Sequence, residues 1–231
     1  NSTPKDENIK GDVFVGNYYV LYNNEYEKQV KKLISDGHDD KYAHQNAEIL
    51  LEAQDLLRKW ESGDKEVIKQ WEKLNSWVYE GFSKTYSDLN VKFDSEYYES
   101  KTYLKGKEIV IGGLKKNIFN KKEDNSIWID LTNDGLDEKI LLRSDGTSVY
   151  ITQDIGTAFL RYQDHPKMDG MIYTTGNEQD YHFKVLFQIL NKLGYPWANK
   201  LNHLSYGMVD LPSGKMKSRE GTVVDADELI E

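Results

Sequence analysis

The chain has 231 residues, 39 of them acidic and 30 basic, a net charge of −9, and no cysteine. That length allows one large domain or two small ones around a sizeable core. Disulfides and thiolate metal sites are excluded. So is a nucleic-acid interface spread over the whole surface, because phosphate neutralisation needs a cationic face, although a local basic patch remains allowed.

Sixteen Tyr and five Trp argue for a folded chain. No apolar run approaches membrane-spanning length and no signal peptide is visible, so a cytoplasmic chain without a membrane partner is expected. The first residue is Asn and the polar opening 1–10 has no structural pattern. This reads as an internal piece of a longer protein.

Residues 1–90 read as a helical unit. Asn17 is a candidate cap after Gly16. Tyr18, Tyr22, Tyr26, Val30 and Leu33 then recur at helical spacing until Gly37. A second helix follows Asp39 and Asp40, with the stripe Ala43, Ala47, Leu50, Leu57 and Trp60, and stops at Ser62-Gly63. Asp64 caps a third, whose face is Val67, Trp71, Leu74, Val78 and Phe82. The aromatic stripes read as core. His38 and His44 have no partner at metal-ligand spacing.

Residues 91–231 alternate. A short strand is expected at 91–94, then a helix or turn over 100–107. Residues 109–119 fit either a strand or a helix, and 121–124 form a charged loop. Two strands, 127–131 and 139–143, flank the turn Asn133-Asp134-Gly135. A small β-rich insertion is therefore placed at about 101–140. Ser144-Asp145-Gly146-Thr147 opens a helix to about Tyr162. A buried-type strand over 171–175 ends at Gly176. The next helix, 179–193, turns Phe183, Leu186, Phe187 and Leu190 inward and closes at Gly194, before a last strand at 201–209. Strands and helices in this order read as a parallel α/β sheet. Ligands bind such sheets beyond the carboxyl ends of the strands. That rule selects residues 94–100, 176–182 and 210–222.

The third of these reads Gly-Lys-Met-Lys-Ser-Arg-Glu-Gly-Thr over 214–222. Two glycines bracket Lys215, Lys217, Ser218 and Arg219. Such a loop fits a solvated basic turn. It also fits a hinged cationic flap for phosphate transfer. Tyr150 and Asp154 lie four apart and share one helix face. Asp154 reads either as a salt-bridge partner for a lysine of the fold or as a carboxylate aimed at a cationic ligand, for which a guanidinium is the best match. Residues 176–182 hold Gly176, Glu178, Gln179 and His182. They serve either as a strand-to-helix turn capped by Asn177 or Asp180, or as a ligand contact with close backbone approach at Gly176. Glu99 alone is no better than a surface acid. No nucleophile triad, Walker loop, dinucleotide fingerprint or metal-ligand cluster is present in the sequence.

Taken in order, these pieces resemble the class I arginyl-tRNA synthetases of bacterial type. They are Phe93-Asp94 leading to Tyr98-Glu99-Ser100, Leu142-Arg143-Ser144-Asp145-Gly146-Thr147, Tyr150-Ile-Thr-Gln-Asp154, the run from Gly176 to His182, and Tyr206-Gly-Met-Val followed by the 214–222 loop. That loop looks like the family's KMSKS signature, with Ser218 at its fourth position and a lysine at 217. Gly11-Asp12 and Gly16-Asn-Tyr-Tyr-Val also match. The HIGH signature and the anticodon-binding domain are absent, so the resemblance implies the middle of a synthetase, inert by itself.

The fold implied is α/β, the second half of a class I synthetase Rossmann-like parallel sheet, preceded by a helical unit and carrying a small inserted β-rich segment. The activity implied is arginine activation with ATP and transfer of arginine to tRNA(Arg). The resemblance puts Glu99, Tyr150, Asp154 and Gln179 around the arginine. Gly176, Glu178, His182, Gly207, Met208, Val209 and Met216 fall to ATP. Lys215, Lys217, Ser218 and Arg219 fall to the catalytic closure on the triphosphate. Magnesium would ride with ATP as substrate, with no tightly bound cofactor, no protein metal site and no DNA partner. A synthetase of another specificity, such as cysteine, or a non-catalytic helical interaction module on a degenerate nucleotide fold, are the alternatives.

Overall fold

The computed structural model describes residues 2–209, 216 and 224–230. The described residues fall into two compact units. One draws on 1–93 and 210–231, the other on 94–209.

The first unit is helical: α1 (Pro4–Glu7), α2 (Gly11–Ser35), α3 (Asp40–Asn46), α4 (Glu48–Glu61), α5 (Lys65–Asp88) and α9 (Ala226–Ile230). Local signals set most of the ends. The Asp39 carboxylate accepts from Tyr42 N–H at 2.7 Å, and Asp64 accepts from Glu66 and Val67 at 3.0 and 3.1 Å. Gly37 and Gly63 follow their helices with φ of +96° and +83°.

Several expectations are corrected. The opening is not structureless, because Thr3 and Asp6 form a reciprocal capping box around α1. Asn17 lies inside α2 and caps nothing. The helix begins at Gly11, where a Cβ would come within 2.1 Å of the Trp77 carbonyl oxygen, so α5 packs directly on its start. The second expected helix is two helices, broken where Ala47 turns to ψ 128°. Ala43 and Ala47 are fully buried against Val30 there, so a tertiary contact interrupts the local pattern. The aromatic stripes are only partly core. Phe14 is buried edge-on to Trp77, while Tyr18, Trp71 and Phe82 are 51%, 37% and 46% exposed. A helix with few neighbours covers only part of its apolar stripe.

In the second unit, α6 (Glu99–Lys115) lies against α7 (Tyr150–Asp164). Gly106 and Gly156 allow this approach. A Cβ at Gly106 would sit 1.9 Å from the Thr152 carbonyl oxygen, and one at Gly156 would sit 2.2 Å from that of Thr102. The ambiguous stretch after 109 is therefore helix as far as Lys115. Residues 91–94 form no strand. Val91 N–H donates to the Tyr86 carbonyl at 2.8 Å and not to a strand, and Phe93 lies edge-on to Tyr86. Between α6 and α7, β1 (Asn120–Lys121), β2 (Ile127–Ile129) and β3 (Lys139–Leu142) form an antiparallel sheet. The helix expected from residue 144 starts at Tyr150. Asp145 instead accepts from Thr147 N–H at 2.8 Å, and Gly146 takes a φ of +78°, which keeps 144–147 as a turn.

Strand β4 (Met171–Gly176), helix α8 (Asp180–Lys192) and strand β5 (Leu201–Tyr206) make a parallel unit, paired from Met171↔Leu201 to Gly176↔Tyr206. Phe183, Leu186, Ile189 and Leu190 of α8 are buried in its core, and Phe187 is half-buried. The last strand stops at Tyr206, since pairing with β4 ends at Gly176. The fold is α/β, with a parallel strand–helix–strand unit and a separate small β segment. No helix among the described residues is long and apolar enough to cross a membrane.

Candidate functional site

The carboxyl ends of β4 and β5 open onto a cleft of about 330 Å³. Strand β4 supplies Thr175 and Gly176. The short turn after it supplies Glu178 and Gln179, and α8 supplies His182 and Phe183. Asp154 enters from α7, and Tyr206 and Met208 close the opposite wall. A Cβ at Gly176 would lie 2.6 Å from the Met208 sulfur, so a side chain there would displace the half-exposed Met208.

Asp154 and His182 form the charged corner. The Asp154 Oδ2 to His182 Nε2 distance is 2.6 Å, with the side chains 38% and 27% exposed. A carboxylate only accepts, so the imidazole donates from Nε2. Asp154 thus neither faces bulk water alone nor pairs with a lysine. Its charge also reaches Tyr173. Burial, with Asp154 adding and Arg161 opposing, pushes the Tyr173 phenol up to about 12. That hydroxyl is buried without a hydrogen-bond partner, and the Arg161 guanidinium lies 5.4 Å from the ring centre.

Of the residues expected to bind ligands, the cleft brings together Asp154, Gly176, Glu178, Gln179, His182 and Met208. Glu99 begins α6 and is exposed, and Tyr150 begins α7 with 77% exposure; neither lines the cleft. Gly207 and Val209 follow β5 and are exposed outside the lining. Met216 is half-buried and belongs to the other unit. Lys215, Lys217, Ser218 and Arg219 lie outside the described residues. No group of three or more His, Asp or Glu among the described residues is placed to hold a metal ion.

Three lining residues were not expected: Thr175, Phe183 as a wall, and Tyr206. Thr175 Oγ1 lies 2.8 Å from His203 Nε2, and His203 Nδ1 lies 3.1 Å from Asp180 Oδ1. The signal in the sequence was a histidine inside an otherwise strand-like run. A polar side chain at such a place needs partners.

A parallel strand–helix–strand unit with a polar cleft at its carboxyl end is the architecture of nucleotide-handling α/β proteins. Residues 17–231 match the family described as tRNA synthetases class I (R), catalytic domain, and the chain belongs to that family. It is similar to the arginine–tRNA ligase of Flavobacterium psychrophilum, with 58% identity over the whole chain and 38% of that protein. A similar ligase from Amoebophilus asiaticus is 58% identical over 99% of the chain and 38% of its own length. Among solved structures, arginyl-tRNA synthetase from Plasmodium falciparum shares the fold at a TM-score of 0.58 and 22% identity, over 82% of this chain and 34% of that one. The Thermus thermophilus enzyme gives 0.56 and 19%, over 91% and 42%. The chain thus spans well under half the length of the curated relatives it matches.

Proposed function

We propose that the chain is the part of an arginine–tRNA ligase that holds L-arginine and ATP while arginyl-adenylate forms, before arginine passes to tRNA(Arg). The observation that carries this reading is the Asp154–His182 pair beside Gln179 at the strand ends. It is supported by the 58% identity to ligases of that name.

Adenylate formation needs no protein nucleophile. The arginine carboxylate attacks the α-phosphorus of ATP, and pyrophosphate leaves with the electron pair of the broken P–O bond. The protein's task is positioning and charge stabilisation. His182 fixes one oxygen of Asp154, so a guanidinium meets an oriented carboxylate and not a freely rotating one. Gln179 offers a donor and an acceptor to the same ligand. Glu99 and Tyr150 complete the arginine contacts in this reading. Gly176, Glu178, Gly207, Met208, Val209 and Met216 serve ATP, and Lys215, Lys217, Ser218 and Arg219 neutralise the triphosphate. Magnesium arrives with ATP as part of the substrate. A site that pairs a guanidinium with a carboxylate 38% exposed rejects an uncharged analogue by roughly 10²-fold or more.

The test is a hybrid ligase in which this chain replaces the matching 231 residues of the Flavobacterium psychrophilum protein. The expected result is ATP–pyrophosphate exchange that depends on arginine and is not supported by lysine. A folded hybrid without arginine-dependent exchange overturns the reading.

A further inference from the structure

Thr175 stands near the end of β4 on the wall of the cleft, with its hydroxyl tied to His203, which in turn meets Asp180. His203 Nε2 lies 2.8 Å from Thr175 Oγ1, and His203 Nδ1 lies 3.1 Å from Asp180 Oδ1. The His203 side chain is only 9% exposed, and its ring lies against that of Phe183 with centroids 4.4 Å apart. Packing and two polar contacts therefore fix the imidazole in one orientation.

The protons follow from the partners. The Asp180 carboxylate 3.1 Å away favours the hydrogen on Nδ1, the tautomer that leaves Nε2 as an acceptor. Thr175 then donates its single hydroxyl proton to Nε2. An untethered threonine rotates and serves either role. This one has its donor spent, and its two lone pairs remain to accept from a ligand in the cleft that Thr175 lines.

Strand pairing alone does not call for this link. β4 and β5 are already paired continuously over six residues, and His203 stands opposite Tyr173, one step from Thr175 on the same face. We infer that Thr175 is a fixed hydrogen-bond acceptor for a hydroxyl or amino donor of the bound ligand, with His203 and Asp180 as its positioning residues. The inference rests on reading the cleft as the arginine and ATP site. Two donors fit that chemistry: a ribose hydroxyl of ATP and an N–H of arginine.

Exchange kinetics of the hybrid ligase separate these. Thr175→Ser keeps the acceptor and should stay within about threefold of the parent. Thr175→Val should raise KM for one substrate by roughly tenfold, the worth of one hydrogen bond, with kcat within about threefold. His203→Phe keeps the ring packing, loses the acceptor nitrogen, and should move the same KM in the same direction. If ribose is the donor, 2′-deoxy- or 3′-deoxy-ATP loses about tenfold with the parent and nothing further with Thr175→Val. If arginine is the donor, the KM shift falls on arginine, and the deoxy nucleotides behave alike in both proteins. Unchanged KM values in Thr175→Val, or equal losses in Thr175→Ser and Thr175→Val, overturn the inference. Nitrogen-15 NMR of the histidines in the chain itself gives a second readout, with His203 expected as the Nδ1–H tautomer. The Nε2–H tautomer overturns the inference whether or not the hybrid is active. A silent parent hybrid sinks the arginine–ATP reading alone, and the tautomer then decides the Thr175 relay.

Discussion

The Asp154 carboxylate of α7 lies 2.6 Å from His182 Nε2 of α8, joining two helices at one corner of the cleft. The pair makes Asp154 an oriented charge, so its loss and the loss of its partner should differ in size. In the hybrid ligase, Asp154→Asn is expected to cut arginine activation by roughly 10²-fold or more. His182→Phe leaves the charge and frees its rotation, so a loss of about tenfold, mostly in KM for arginine, is expected. Exchange kinetics read both, and near-parental exchange in Asp154→Asn would refute the role.

The contact between α6 and α7 depends on two glycines. Gly156→Ala places a methyl 2.2 Å from the Thr102 carbonyl oxygen, and Gly106→Ala places one 1.9 Å from that of Thr152. Each should destabilise the chain by about 2 kcal/mol or more, since backbone has to shift. The double variant should cost less than the sum, because the two share one contact. Gly112, in the same α6, meets nothing within 4 Å. Gly112→Ala should therefore stabilise by about 0.5–1 kcal/mol through helix propensity. Urea denaturation measures all four variants, and equal behaviour of Gly112→Ala and Gly156→Ala would contradict the packing account.

Tyr173 predicts an alkaline weakness. Its phenol is pushed up to about 12 by burial, above the ordinary value of 10.0. A raised value means that the folded state holds the proton longer than the unfolded one. The contribution is fully present below pH 10 and is lost as pH rises toward 12, by at most about 1.4 kcal/mol per unit. Tyr173→Phe also removes a buried hydroxyl that has no partner. The variant should match or exceed the parent at pH 7 and lose less stability between pH 10 and 12. Stability curves in that window that overlay would contradict this.

Asp227 makes the opposite prediction at acid pH. Hydrogen bonds from Lys10 and from Thr85 hold its carboxyl below the usual 3.8, and they dock α9 onto α5 and the start of α2 within one unit. A lowered value gives stability that is present above pH 3.8 and lost as pH falls through the folded-state value. Asp227→Asn should flatten the acid limb of the stability curve and raise amide exchange in α9. Unchanged exchange there would show that this pairing does not hold the helix.

What was legible depended on how far a signal had to reach. Asp39, Gly37, Gly63 and Asp64 act within one turn of chain, and their helix ends stood in the sequence. The start of α2 at Gly11 did not, because it is set by Trp77 on another helix. The break at Ala47 comes from its burial against Val30. Gly112 and Gly113, set among Ile109, Val110, Ile111 and Leu114, mimic a strand until Phe119 fills the space beside Gly113. At the cleft, Gly176, Gln179 and His182 were visible in the turn after a strand, and Asp154 as an acid sharing a helix face with Tyr150. Thr175 and His203 gain meaning only when β4 and β5 pair, 28 residues apart. That His182 would meet Asp154 could not be read from spacing, because they sit on different helices.

The central claim is that the Asp154 corner receives a guanidinium. Calorimetry of the hybrid ligase with arginine and with citrulline, its neutral isostere, tests this most directly. The account predicts that arginine binds and that citrulline is weaker by roughly 10²-fold or more. Equal affinity for the two would contradict it.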